Sequence, residues 1–381
     1  MQFFRKETVR IAVTSFIIAF MAKTVFGFLT LFLLLSCVGH GQLSAPKYSN
    51  EFLNIGVGAR ALGMSNSIVA SSGDVYSAYW NPAGLTNVKS DMQIGAMHAE
   101  YFAGIANYNY AGIAIPLDTN TAASISFVRF GVDDIPNTTE LIDADGNIDY
   151  SRITSFSAAD NALILSYAKR VRPYLSIGGN VKVVYRHIGH FANAIGFGLD
   201  ASAIYTKNDW VFAAMARDVT STFNAWSIDL SEEMTATFIQ EGNELPENSI
   251  EATLPRVILG ASRTFNFKNF NLLAEIDIDM TTDGKRNVLV SADPVSIDPH
   301  AGFEVGYKNK IYLRGGVGNV QKASVTSQTA EWTFQPNIGI GLRIKEFSLD
   351  YALTDIGDAS AALYSNIFSV KFNIWKTQPN P

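Results

Sequence analysis

The residues of this sequence that could carry chemistry include a run of three carboxylates. Asp143, Asp145 and Asp149 alternate with other residues around one glycine, and such spacing suggests an oxygen-ligand loop for calcium. Glycine follows the second aspartate directly, and no glutamate closes a twelve-residue loop, so the run departs from the EF-hand pattern. An Asp-Gly turn at the tip of a loop explains the same residues. Calcium binding and a plain turn therefore both stay open.

Other catalytic or metal-binding arrangements are absent from the sequence. His187 and His190 lie three residues apart without a third ligand nearby, so we expect no zinc site. Cys37 is the only cysteine, and its loss with a signal peptide would leave no thiol nucleophile and no disulfide. We find no Gly-x-Ser-x-Gly elbow and no phosphate-binding loop. We predict a protein that is not an enzyme and that needs no cofactor.

The stretch from residue 218 to residue 255 is acidic and contains no lysine or arginine. Its acidic residues include Asp229, Glu232, Glu233, Glu241, Glu244, Glu247 and Glu251, and its large apolar residues include Phe223, Trp226, Met234 and Phe238. A connection of this length usually has a function or is disordered. Aromatic anchors among carboxylates favour a partner-binding loop formed by Phe223, Trp226, Glu232, Glu233 and Phe238. The alternative is a charged outer surface that divalent ions bridge to lipopolysaccharide.

The elements that must position these residues are strands. From Phe270 to Met280 apolar residues alternate with Asn271, Glu275, Asp277 and Asp279, so one face of the strand is apolar and the other polar. Past residue 40 no stretch approaches the roughly 18 apolar residues of a membrane-spanning helix. The expected strands are 92–99, 106–117, 120–130, 160–170, 173–186, 194–206, 209–217, 256–265, 269–280, 300–308, 310–319, 332–344, 346–354 and 364–375.

The connections between these strands alternate in length. Those after the even-numbered strands are minimal, whereas those after strands three, seven, nine and eleven are long. Short turns on one side and long loops on the other are typical of a transmembrane antiparallel β-barrel. The fold class predicted is therefore all-β, with about fourteen strands over residues 91–375 and a short tail at 376–381. A soluble β-sandwich, or two stacked domains, is the alternative.

Composition agrees with a membrane barrel of the bacterial outer membrane. The chain is 48% hydrophobic and only 17% charged, with 25 Phe and 15 Tyr, as a lipid-facing band between aromatic girdles requires. The net charge of −6 makes nucleic acid an unsuitable partner. We therefore expect an integral barrel in the outer membrane of a Gram-negative bacterium, with outer-membrane lipid around it.

The first 41 residues have the character of a signal peptide. A positive start at Lys23, an apolar run from Val25 to Leu35 and small residues before Gln42 form the usual three regions. A further apolar stretch precedes Met21, so we infer that translation starts at Met21. A long uncleaved signal anchor is the alternative, as is a lipoprotein with lipidated Cys37.

Residues 42–90 differ from the strands, being rich in Ala, Gly, Ser and Asn. The segment is too short to fold alone and too apolar to be free in water. A barrel of about fourteen strands has a lumen wide enough to need filling. We therefore predict an N-terminal plug inside the barrel or across its mouth, with Pro82 imposing a turn and Trp80 anchoring the segment to the wall.

The plug sequence resembles the N-terminal signature of FadL-like outer-membrane proteins, and most of all that of the PorV/PorQ family of the Bacteroidota. The matching residues are Gly58, Ala59, Arg60, Ala61, Gly63, Met64, Asp74, Ala78, Trp80, Asn81, Pro82, Ala83, Gly84 and Leu85. The resemblance extends from about residue 50 to the C-terminus and implies a fourteen-stranded barrel with a plug. Arg60, Asp74, Asn81 and Pro82 would position the plug, or would only satisfy buried backbone groups there. Ser65 to Ser67 replace glycines of many relatives, and Gly84-Leu85 is common to FadL-like proteins in general.

The resemblance also implies a function. PorV-like proteins act as shuttles that bind the signal domain of cargo leaving a type IX secretion translocon. We therefore predict a scaffold or shuttle component of protein secretion or envelope biogenesis, with secretion-system proteins and secreted cargo as partners. The first alternative is FadL-like transport of a hydrophobic small molecule. The second is an accessory subunit of the machinery that assembles outer-membrane proteins.

Overall fold

The computed structural model describes residues 48–139, 141, 147–326, 329–354 and 364–376. The predicted signal peptide with Cys37, Asp143 and Asp145, and the tail from residue 377 lie outside these residues. Within them no helix is both long enough and apolar enough to cross a bilayer.

Sixteen strands and three short helices form in the described part of the chain. The strands are β1 (Met92–Tyr101), β2 (Ala106–Pro116), β3 (Thr121–Asn137), β4 (Thr154–Arg172), β5 (Leu175–Ile188), β6 (Ala192–Lys207), β7 (Trp210–Arg217), β8 (Thr222–Ile228), β9 (Ser249–Thr253), β10 (Arg256–Asn266), β11 (Phe270–Thr281), β12 (Ser296–Tyr307), β13 (Ile311–Thr326), β14 (Thr329–Ile344), β15 (Phe347–Thr354) and β16 (Ser365–Ile374). The helices are α1 (Ala59–Leu62), α2 (Ser77–Trp80) and α3 (Glu232–Gln240), and 3-10 turns occupy Glu51–Leu53, Pro82–Asn87 and Tyr150–Arg152.

The strands close into one antiparallel barrel. Ala96 of β1 lies opposite Val370 of β16 on one side and opposite Ala111 of β2 on the other, so the first and last strands meet. Closure satisfies the backbone hydrogen bonds of every wall strand without leaving an edge in lipid. The barrel has fourteen wall positions, because β7 and β8 share one position beside β6, and β9 and β10 share the next. The predicted fold class and strand number are confirmed.

The outer face of the wall is apolar, as the alternation predicts. Ile276 is 58% exposed, Leu313 57% and Ile340 57%, although all three are large hydrophobic residues. Their neighbours on the opposite face, among them Glu275 and Arg314, are buried in the lumen. Side chains that are exposed on the outside and apolar over so many strands face lipid, not water.

Two long connections were predicted wrongly. The segment after β13 was expected to be a loop from residue 320 to residue 331, but β13 runs to Thr326 and β14 begins at Thr329. The stretch from residue 218 to residue 255 was expected to be a loop throughout, but β8 and β9 form at its two ends and α3 lies between them. The parts of the strands that extend beyond the bilayer have water on their outer face. Their outward side chains therefore need not be apolar, and the alternation that predicts a strand is missing there.

Candidate functional site

The segment from Tyr48 to Asp91 fills the lumen of the barrel. Val57, Ala59, Val69 and Val75 within it have no exposed surface at all. Its first part lies at the end of the barrel with the long connections, where Glu51 meets Arg286. Its last part lies at the end with the short turns, where Ser90 contacts Asn373. This plug segment therefore runs the length of the lumen, and its contacts with the wall define the candidate site.

The first predicted motif forms helix α1 and fixes it against β16. Gly58 precedes the helix with a φ of 85°, which glycine adopts without strain. The amide of Ala59 donates to Ser369 Oγ over 3.0 Å. Gly63 ends the helix, and Met64 after it is fully buried. The motif is therefore a short turn packed between wall strands.

Arg60 connects α1 to an ion-pair network of the wall. Its Nε lies 2.9 Å from Glu304 Oε2, and the same oxygen accepts from Arg314 Nε over 2.6 Å. Arg314 also lies 2.8 Å from Asp350. Burial by itself would lower the pKa of Arg60, but the Glu304 carboxylate raises it, so the guanidinium stays charged.

Asp74 forms the second ion pair between the plug segment and the wall. Its Oδ2 lies 2.6 Å from Lys371 Nζ on β16, and its Oδ1 accepts from the amide of Tyr76 over 3.0 Å. Burial favours the neutral acid, but Lys371 outweighs burial and lowers the pKa of Asp74 below its ordinary value. These contacts are those that a residue positioning the plug would make, and this role of Asp74 stays a prediction.

The second predicted motif holds two parts of the plug segment together. Trp80 Nε1 donates to the carbonyl of Val57 over 2.8 Å. Asn81 Nδ2 donates to the carbonyl of Val69 over 2.9 Å, while its Oδ1 accepts from the amide of Ala83. Trp80 thus joins two parts of the plug segment, and its ring also lies 5.6 Å from the guanidinium of the wall residue Arg217. Its predicted role as an anchor to the wall stays a prediction.

Pro82 and Gly84 lie in the 3-10 turn that follows Asn81. Pro82 stands at its first position, where a missing N–H costs nothing. A Cβ on Gly84 would lie 2.5 Å from the carbonyl oxygen of Ser72, so only glycine allows this approach of two backbones.

Two wall carboxylates that the sequence reading missed hold the middle of the plug segment. Asp277 Oδ2 accepts from the amides of Ile68 and Val69 over 2.9 and 3.0 Å. Glu275 Oε1 accepts from the amide of Ala70 over 2.6 Å. Sequence reasoning placed both carboxylates on a polar lumen face but assigned them no partner. The signal in the sequence that could have indicated these contacts is the presence of two acidic residues at successive inward-facing positions of one strand.

Arg217, the last residue of β7, was also missed. Its guanidinium lies 4.5 Å from the centroid of the Tyr79 ring and 5.6 Å from that of Trp80. It donates to the carbonyl of Leu53 over 2.9 Å. One wall residue therefore joins the beginning of the plug segment to α2 through stacking and hydrogen bonding.

A third missed cluster lies where the wall breaks between β7 and β8. Lys182 Nζ lies 2.8 Å from Asp200 and 2.6 Å from Asp218. Asp218 has a φ of 53°, which turns the chain out of β7. The lysine thus compensates two buried carboxylates at the interruption of the strand.

The predicted partner-binding residues divide between the wall and helix α3. Phe223 and Trp226 lie on β8, where Trp226 Nε1 donates to Glu251 and Arg186 stacks over the indole at 5.0 Å. Glu232 and Glu233 are exposed in the first turn of α3, and Phe238 of the same helix is half-buried. The predicted partner-binding residues therefore lie on two elements, β8 and α3, and their role in binding a partner stays a prediction.

The remaining candidates provide no metal site among the described residues. Asp149 caps the turn at Tyr150–Arg152 by accepting from the amide of Ser151, and its predicted calcium partners Asp143 and Asp145 are not described. His187 stacks on Tyr185. No group of three metal-binding side chains occurs in the part of the chain that the structure describes.

Two cavities flank the plug segment. The inner cavity, on the side of the short turns, has a volume of about 450 Å³ and is lined by Arg60, Asp74, Leu273, Tyr312 and Arg343, among others. The outer cavity, on the side of the long connections, has a volume of about 340 Å³ and is lined by charged residues such as Asp277, Arg256 and Asp298. Both have the size of small-molecule sites.

The closed wall of fourteen strands and the buried N-terminal segment define a FadL-like fold, that of an outer-membrane β-barrel. Solved structures with this fold include CymD, a monoaromatic hydrocarbon channel (TM-score 0.54, 12% identity, 84% of this chain and 98% of that chain). They also include the Pseudomonas putida toluene transporter TodX (TM-score 0.51, 12% identity, 84% of this chain and 99% of that chain). A Pseudomonas aeruginosa FadL homologue has the same fold (TM-score 0.50, 12% identity, 83% of this chain and 98% of that chain). No protein-family model and no curated protein matches the chain.

These likenesses concern the fold. They agree with the predicted fold of an outer-membrane β-barrel, and the expectation that the protein is not an enzyme stays a prediction. The finer resemblance to the PorV/PorQ family stays a prediction.

Proposed function

We propose that this protein is a plugged outer-membrane channel that admits a small, mainly hydrophobic molecule with an anionic end. The lining of the inner cavity carries this proposal. Ile204, Val211 and Leu273 give the cavity an apolar side, and Arg343 gives it a cation. Arg343 lies 5.3 Å from the Tyr312 ring and forms no ion pair with a described residue, so its charge is available to a ligand.

The fold supports the same proposal. The named neighbours CymD and TodX are a hydrocarbon channel and a toluene transporter. The plug segment of this chain is tied to the wall by Arg60 and Asp74, so passage requires these ion pairs to open or the segment to shift.

Uptake into liposomes tests the proposal. We expect purified protein in proteoliposomes to admit radiolabelled octanoate faster than protein-free liposomes do. Arg343→Ala should slow this uptake, whereas Arg172→Ala, at the exposed end of β4, should not. Equal octanoate entry with and without protein would overturn the proposal.

A second candidate is the scaffold or shuttle of a secretion system, which the PorV/PorQ resemblance implies. One observation favours it: the region from β8 to β9 has no lysine or arginine and presents Ile239 at 63% exposure on α3. Thr237 Oγ1 donates to the carbonyl of Thr139 over 3.1 Å, which fixes α3 against the connection after β3. A fixed acidic helix with an exposed apolar residue suits a protein partner.

Affinity purification from the native outer membrane, in mild detergent and with mass spectrometry, separates the two candidates. Stoichiometric recovery of a translocon or of cargo signal domains would favour the scaffold. A lone barrel carrying a lipid or fatty acid would favour the channel.

A further inference from the structure

Three inward side chains of the inner cavity form one row across neighbouring strands. Arg343 of β14 lies opposite Ser348 of β15, and Ser348 lies opposite Lys371 of β16. Residues directly opposite each other in an antiparallel pair point to the same face, with Cβ atoms about 4.5–5.5 Å apart. All three residues line the cavity. The register of the wall therefore brings a guanidinium, a hydroxyl and an ammonium group together.

The hydroxyl at the centre of this row has no hydrogen-bond partner. Ser348 is only 4% exposed, and its Oγ forms no hydrogen bond with a described residue. Buried polar groups of proteins are nearly always hydrogen-bonded. An unpaired hydroxyl that lines a cavity therefore indicates a polar group that enters the cavity.

The charges that line the inner cavity do not balance. Its charged residues are four cations and three carboxylates, namely Arg60, Arg314, Arg343, Lys371, Asp74, Glu304 and Asp350. Glu304 is paired with Arg60 and Arg314. Asp350 is paired with Arg314, and Asp74 with Lys371.

The cation left over is Arg343. It forms no ion pair with a described residue, and its guanidinium stacks on Tyr312 at 5.3 Å. The cavity therefore carries one uncompensated positive charge, which lies beside the unpaired hydroxyl of Ser348.

We propose that the row of Arg343, Ser348 and Lys371 binds the carboxylate of a small organic monoanion. A guanidinium presents two parallel N–H donors to the two oxygens of a carboxylate. Ser348 supplies a hydroxyl donor, and Lys371, which uses one of its three N–H donors on Asp74, keeps the other two. One carboxylate satisfies Ser348 and compensates Arg343 at the same time.

The same arrangement sets which ligands fit. A second negative charge in the ligand finds no free cation in the cavity, and the carboxylate of Asp74, 2.6 Å from Lys371 Nζ, repels it. A neutral ligand leaves Arg343 uncompensated, and a cationic ligand adds to its charge. We therefore expect the site to prefer monocarboxylates to dicarboxylates, alcohols and amines.

This inference rests on the proposed function, because it names the ligand class and further residues of the same inner cavity. Binding and uptake are separate measurements, so the two proposals can fail separately. Butyrate binding at this row without octanoate uptake would overturn the channel but not the site. Octanoate uptake by a protein that binds no butyrate would overturn the site but not the channel.

Calorimetry on the purified full chain in detergent micelles tests the site. The probes are butyrate, succinate, 1-butanol and butylammonium, which share a carbon chain of the same length and differ in charge. We expect butyrate to bind, succinate to bind at least about tenfold more weakly, and 1-butanol and butylammonium not to bind. Succinate binding as tight as that of butyrate, or no butyrate binding at millimolar concentration, would overturn the proposal.

Two variants locate the site. Arg343→Gln removes the charge and Ser348→Ala removes the hydroxyl, while Lys371 is left in place because it also holds Asp74. Each variant should weaken butyrate binding by about tenfold or more, as the loss of a hydrogen bond to a charged group does. Arg172→Gln, at the exposed end of β4 and outside the cavity, is the matched control and should leave the affinity unchanged.

Folding of each variant is checked by heat-modifiable mobility on gels. Arg343 has no ion pair with a described residue to lose, and Ser348→Ala removes a buried hydroxyl without a partner, so both variants should fold as the wild type does. Equal affinity of wild type, Arg343→Gln and Ser348→Ala for butyrate would overturn the proposal.

Discussion

Arg60 of the plug segment and Glu304 of β12 form an ion pair, with 2.9 Å between Nε and Oε2. Arg314 of the neighbouring strand donates to the same carboxylate oxygen, so a wall residue also orients the acceptor that the plug uses. The pair joins residues that are 244 positions apart in the chain. The plug is therefore held by a carboxylate that the wall itself helps to orient.

Loss of the Arg60 guanidinium should loosen the plug without preventing barrel closure. Arg60→Met should lower the free energy of unfolding by about 2–4 kcal/mol, because it leaves a buried carboxylate with one cation fewer. Urea unfolding in micelles measures the change, and chymotrypsin cleavage after aromatic residues of the plug segment, such as Tyr79 and Trp80, reports release of the plug. Arg172→Met, which removes an exposed arginine, is the matched control. A variant as stable and as protease-resistant as the wild type would contradict the role given to Arg60.

The Asp74–Lys371 pair should make the plug sensitive to acid. The folded-state pKa of Asp74 lies below its unfolded value because Lys371 outweighs burial, so the pair stabilises the protein above about pH 4 and ceases to do so as pH falls through the lowered pKa. Melting temperatures between pH 7 and pH 3 should fall less steeply in Asp74→Asn than in the wild type. Parallel curves for the two proteins would show that this carboxylate contributes nothing.

Gly178 of β5 should not tolerate a side chain. A Cβ at this position would lie 2.4 Å from the backbone nitrogen of Ala83 in the plug, and backbone cannot move aside as a flexible side chain does. Gly178→Ala should therefore destabilise the protein by about 1–3 kcal/mol. Gly73→Ala is the control, since its Cβ would meet Asn87 at an ordinary 3.4 Å. Denaturant unfolding of both variants measures the difference in stability. Equal unfolding midpoints for the two variants would contradict the predicted clash between residue 178 and the backbone of Ala83.

The region between β8 and β9 should be dispensable for the barrel. Replacing residues 229–248 by a short turn removes α3 but leaves the pairing of Thr222 with Thr253, so heat-modifiable mobility and melting temperature should stay within a few degrees of the wild type. Collapse of the barrel would show that α3 has a structural role. If the barrel persists, loss of co-purified proteins from this variant would assign the partner contact to α3.

Alternation along single strands was sufficient to predict the wall. Residues 269–280 were expected as a strand with Glu275 and Asp277 on its polar face, and β11 has these bounds to within one residue and places both carboxylates in the lumen. The period of two is a local property, so it is readable wherever one face meets lipid. It fails where both faces are wet, and for this reason β8, β9 and the outer parts of β13 and β14 were read as loops.

The sequence by itself determined that the chain forms a barrel and that the lumen face is polar, and it predicted that an N-terminal segment rich in Ala, Gly, Ser and Asn lies inside the barrel or across its mouth. Only the tertiary structure decided that Arg60 reaches Glu304, that Asp277 receives the amides of the plug and that Arg217 stacks on Tyr79. Each of these contacts joins residues more than 100 positions apart, and nothing in the local pattern sets which inward side chain faces which part of the plug. That pairing follows from the tilt and register of the closed wall, which exist only once the first strand has met the last.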